Sequence, residues 1–137
     1  MIRRSNWERR LNAYLRSVQC RPHTYGEHDC TLFVAGAIQA MTGEDLAADV
    51  RGEYASQEEA FALIDELGGS LEAICRDRLG EPVAPLQARR GDVVIGPWAD
   101  QGGDTLGVVL GARVATVCNR GQTRQMLGQA RLAWRVG

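Results

Sequence analysis

The sequence predicts an α+β fold, and three observations carry that prediction. Helix start and stop signals crowd the first eighty residues, while short β-branched runs separated by glycine turns crowd the last forty-five. Between Tyr25 and Gly43 lies one stretch so evenly apolar that, as a helix, it can only be central and buried. Helices segregated from a run of strands in this way define a sheet with helices on it, rather than alternating βαβ units. The sheet is expected to be antiparallel, of about five strands, and packed on the central helix.

Length and composition fit a single domain spanning 1–137. Apolar residues make up 45% and charged residues 24% of the chain, as in ordinary globular proteins, and nothing resembles a repeat or a linker. Net charge is −1, which gives no electrostatic reason to expect nucleic acid as a partner. All 16 basic residues are arginine, so lysine chemistry, including Schiff bases, is excluded. The N-terminal residues lack a secretory signal, and no stretch approaches the about 20 apolar residues of a membrane span. Synthesis and folding in a cytoplasm are therefore expected. Cys20, Cys30, Cys75 and Cys118 never fall in Cys-x-x-Cys spacing, so they read as free thiols with no metal or cofactor.

Taken in order, Ser5 with Glu8 reads as a capping box opening a helix over 6–19, with Trp7, Leu11, Tyr14, Leu15 and Val18 on its apolar side. Arg9, Arg10 and Arg16 lie on the other side, a solvated face. Pro22 ends the passage. Asp29 caps the central helix that begins at Cys30, and Gly43 closes it. Residues 44–55 form a polar connector. Ser56 with Glu59 opens a third helix carrying Ala60, Leu63, Ile64 and Leu67. Ser70 caps a fourth, whose stripe includes Cys75 as a small core residue. Strands are expected at 93–95, 105–110, 114–118, 123–127 and 131–136, with a tight turn at Gly111–Ala112. Trp7 and Trp134 read as core, and Trp98 as an anchor or a cover over Cys30. The acidic run Asp100–Asp104 lacks the ligand alternation of a calcium loop and reads as a hairpin tip.

Cys30 at the start of a buried helix is how a nucleophilic thiol is built, because the helix dipole and free N–H groups favour the thiolate. Cleavage chemistry also needs a base that takes the thiol proton and returns one to the leaving amine. The chain has only two histidines, His23 and His28, both upstream of the cysteine. Their place in the preceding loop makes each a poor candidate base.

Asp29-Cys30-Thr31 with its apolar helix, then Arg90-Gly91-Asp92-Val93-Val94, then Leu106 to Gly111, resembles the NlpC-type papain-like endopeptidases that cut peptidoglycan stem peptides. The wording is closer still to a short branch found among phage and prophage tail genes, with Trp7, the Gly26 to Cys30 element and Ala133-Trp134-Arg135. That resemblance implies a papain-like fold, incorporation into a virion tail, and other tail-tip or baseplate proteins as partners, with peptidoglycan as a further one. In active enzymes of the group a histidine opens the second strand and a polar residue on the next strand orients it. By that correspondence Thr105 occupies the histidine position and Asn119 is the candidate orienter. The expectation is a structural or assembly component on a degenerate cysteine-peptidase scaffold. The alternative is an active peptidase or amidase with Cys30 as nucleophile and His23, His28 or a partner's group as base.

Overall fold

The computed structural model describes residues 1–100 and 102–137. Four helices come first: α1 (Trp7–Ser17), α2 (Cys30–Thr42), α3 (Gln57–Leu67) and α4 (Leu71–Leu79). Five strands follow: β1 (Val93–Gly96), β2 (Thr105–Val109), β3 (Arg113–Cys118), β4 (Gly121–Met126) and β5 (Leu132–Trp134). They form one antiparallel sheet in the order β4-β3-β2-β1-β5, as the segregation of helix and strand signals predicts. Register is set by apolar partners, Val93 lying opposite Val108 on one side and Trp134 on the other.

The helix that the sequence marks as central is so. Leu32, Phe33, Val34, Ala35, Ala37, Ile38 and Met41 are all buried, which is why α2 shows no polar stripe. Asp29 Oδ1 accepts the Leu32 N–H at 3.0 Å, and Gly43 closes the helix in the left-handed region at φ 86°. Helix α1 lies close against α2, because Gly36 has no side chain. A Cβ there would sit 2.3 Å from the Tyr14 hydroxyl oxygen, which donates instead to the Phe33 carbonyl at 2.8 Å.

One expected cap is replaced. Ser5 and Glu8 do not form a capping box; Asn6 precedes α1 without a side-chain cap, and the Trp7 N–H donates to the Arg4 carbonyl at 3.1 Å. The reason lies upstream, where the N-terminal segment is committed elsewhere. The Arg4 N–H donates to Met41 O at 2.8 Å, and the Arg3 guanidinium reaches Val136 O, Arg90 O and the Asp92 carboxylate. The helix is accordingly shorter, Trp7–Ser17. The second box forms as expected: Glu59 N–H donates to Ser56 Oγ at 3.1 Å, and Glu59 Oε1 accepts the Ala55 N–H at 3.0 Å. Ser70 caps α4 through the Ala73 N–H.

Both faces of the sheet are covered. Val93, Ile95, Leu106, Val108, Ala115, Val117 and Trp134 join the core shared with α1 and α2, which also takes in Cys75. Val94, Val109, Val114 and Ala133 pack beneath Val83, Ala88, Trp98, Leu127 and Ala130. The alternation in 131–136 therefore separates two buried faces over Ala133 and Trp134, not a buried from a solvated one. Trp134 is fully buried, whereas Trp7 is half-buried with the Arg3 guanidinium 4.2 Å above its ring.

Candidate functional site

The site grows from the loop that delivers the chain to α2. Main-chain hydrogen bonds between Thr24 and His28 fold 24–28 into a tight turn, with Gly26 at φ 80°. At Gly26 the carbonyl of Tyr54 approaches so closely that a Cβ would lie 1.8 Å from it, so no other residue fits. The turn presents Asp29, whose two oxygens do different work. Oδ1 caps α2, while buried Oδ2 accepts the Gly26 N–H at 3.1 Å and the Tyr54 hydroxyl. Tyr54 comes from the connector between α2 and α3, and with Ala47 and Val50 it makes that segment a second small core against Leu32 and Ala35. The connector is thus polar only on one side. Its apolar residues recur three and four apart, a helical spacing that marks them in the sequence and that the reading of 44–55 as merely polar overlooks.

Cys30 follows at the floor of a cleft of about 930 Å³ between the helices and the sheet. His23, Tyr25, Thr105, Leu106 and Asn119 share this cleft with it. The topology brings them together: β2 lies against α2, and the β3–β4 hairpin tip lies against the loop before it, where the His23 N–H donates to Cys118 O at 3.0 Å. Thr105 is buried at the first position of β2, paired with Gly96. Trp98 also lines the cleft, and its indole N–H donates to Gln129 at 3.1 Å.

The electrostatics of Cys30 reverse the sequence-based expectation. Burial pushes its thiol up from the ordinary value, and the Asp29 carboxylate adds to the rise. Leu106 main chain and the Thr31 hydroxyl and main chain act the other way but are outweighed. The cost of desolvating a thiolate therefore exceeds what a helix start returns, since the cap that creates the helix start also puts a negative charge beside the sulfur. Burial likewise pushes the neighbouring Cys75 thiol up to about 12.

The two histidines sit in different surroundings. His28 is buried outside the cleft lining, its ring edge-to-face with Phe33 at 5.8 Å, and its Nε2 has no hydrogen-bond partner. Burial, then Arg21, lowers its pKa, so it is neutral at physiological pH. His23 does line the cleft, but its ring is held edge-to-face on Tyr25 at 4.6 Å. Asn119 is an exposed residue of the β3–β4 turn. Asp104, next to Thr105, is engaged by Arg131 at 2.7 Å, which also holds Glu72 at 2.5 Å. Of the acidic run at 100–104, Gln101 lies outside the described residues; the remainder joins no group of carboxylates able to hold a metal among the described residues.

A loop-capped central helix with a cysteine at its start, facing an antiparallel sheet across a cleft, defines an NlpC-like α+β fold. The crystal structure of the NlpC/p60 domain of peptidoglycan hydrolase SagA superimposes with a TM-score of 0.57, covering 96% of this chain and 97% of that one at 15% identity. At such identity the likeness carries the fold and not the activity. By sequence the chain belongs to the family described as a domain of unknown function, DUF6950, which matches residues 2–136. No curated protein matches it.

Proposed function

We propose that this protein is a non-hydrolytic structural or assembly component, built on a cysteine-peptidase scaffold and working at a phage-type tail tip or baseplate. The observation that carries the first half is the pairing in the cleft. Cys30 holds the nucleophile's place with its thiol protonated at neutral pH, and the first residue of β2 facing the same cleft is Thr105. A threonine hydroxyl neither removes the thiol proton nor returns one to a leaving amine at neutral pH. What remains, a capped and largely buried α2 against a sheet covered on both faces, serves stability without turnover.

The second half rests on the resemblance of Trp7, the Gly26 to Cys30 element and Ala133-Trp134-Arg135 to short proteins of tail gene clusters. In that setting the partners are neighbouring tail-tip or baseplate proteins. A second reading, a peptidase acting on peptidoglycan, draws support from one arrangement: His23 and Asn119 open onto the same cleft as Cys30. Hydrolysis of peptidoglycan fragments by wild type and Cys30→Ala separates the two. The structural reading expects the same background release from both proteins. Release by wild type that vanishes in Cys30→Ala would establish the enzyme instead.

A further inference from the structure

On a face that shares no lining residue with the Cys30 cleft, three arginines converge from three parts of the chain. A depression of about 290 Å³ lies where the end of α1, the turn before β1 and strand β4 meet, and Arg16, Arg90 and Arg124 all line it. No carboxylate lines it among the described residues. Nor is any of the three in a salt bridge among the described residues, although Arg3, Arg51, Arg76, Arg78 and Arg131 each are.

Two of the three are positioned by neutral acceptors. Arg90 Nη1 donates to Leu110 O at 2.8 Å and Nη2 to Asn12 Oδ1. Arg124 Nη1 donates to Gln122 Oε1 at 2.6 Å, and Gln122 is itself anchored by its Nε2 donating to Leu15 O at 3.0 Å. These bonds fix where the guanidiniums sit, leave N–H donors over, and neutralise no charge. Complementing the dipole at the end of α1 accounts for Arg16, in the last turn, but not for arginines on two other elements.

We propose that this depression binds a phosphoryl oxyanion, free or as a phosphate ester. A tetrahedral group with three or more acceptor oxygens and up to two negative charges engages three forks arriving from different directions. A planar carboxylate offers two oxygens and one charge. The proposal is independent of whether Cys30 has any activity.

The test is isothermal titration of the whole protein with inorganic phosphate, glycerol 1-phosphate and acetate at matched ionic strength, which removes general screening as a cause. Wild type should bind at least one phosphate probe and prefer it to acetate. Binding by both probes assigns an esterified group as a ligand, and binding by inorganic phosphate alone assigns the free anion. Arg16→Gln and Arg124→Gln, both at exposed positions and so compatible with folding, should each weaken binding about tenfold, the loss expected for a charge-assisted hydrogen bond. No phosphate binding, equal binding of acetate, or unchanged affinity in the double variant would overturn the assignment.

Discussion

His28 is the residue whose chemistry is least comfortable in this structure. Its ring is almost fully buried against Phe33 with Nε2 unpartnered. Burial, Arg21, His23 and Arg51 all disfavour its charged form, and only Asp29 favours it. The folded-state pKa is therefore below the ordinary 6.5, and the sign of the linkage follows. The folded chain prefers the neutral ring, so this contribution to stability is fully present above pH 6.5 and is lost as pH falls below it, because the unfolded chain takes up the proton first. Urea unfolding at pH 7.5 and 5.5 should show a loss of stability at the lower pH that shrinks in His28→Leu. An identical pH dependence in the two proteins would contradict this. Sequence position alone places His28 two residues before Cys30, in the loop leading to α2. It does not reveal that the ring is buried, because burial here depends on Phe33 and the 24–28 turn closing around it.

At the scale of elements, the start of α2 depends on a single carboxylate. Asp29 is legible as a cap because an acidic residue precedes a long apolar run. Its second oxygen, taken by Gly26 and Tyr54, is not legible, since Tyr54 arrives from a connector twenty-five residues on. Asp29→Ala removes the cap and leaves the buried Tyr54 hydroxyl and Gly26 N–H without acceptors. It should cost about 2–4 kcal/mol, against about 1 kcal/mol for Tyr54→Phe, which removes donor and oxygen together. Chemical denaturation measures both; equal losses would mean that Asp29 acts only through Tyr54. The same contrast holds elsewhere. The Ser56–Glu59 box forms because nothing competes for its groups, whereas the Ser5–Glu8 box fails because Arg3 and Arg4 tie the segment before it to Asp92, Val136 and Met41. Local signals predict local structure until a long-range contact claims the same backbone.

Across the whole molecule, the order of helices and strands sufficed to predict an α+β fold with an antiparallel sheet on a central helix. Periodicity also located each strand to within two or three residues of the ends found. The second covered face was less legible, because Val83, Ala88, Leu127 and Ala130 come from segments with no periodicity of their own. The character of the cleft was least legible. It needs β2 to place Thr105 and Leu106 beside α2, and it needs the depth at which Cys30 then lies, and neither is encoded near the cysteine itself. By local rules a helix start would lower the thiol's pKa, yet burial of the sulfur and the negative charge of Asp29 push it up. That inversion is the centre of the account, and the pH dependence of Cys30 alkylation tests it most directly. Iodoacetamide labelling from pH 6 to 10, quantified on the Cys30 peptide with the exposed Cys20 as internal reference, should show Cys30 slower than Cys20 at pH 7 and gaining reactivity only at high pH. A Cys30 rate that is already at its plateau near pH 7 would reveal an activated thiolate and contradict the account.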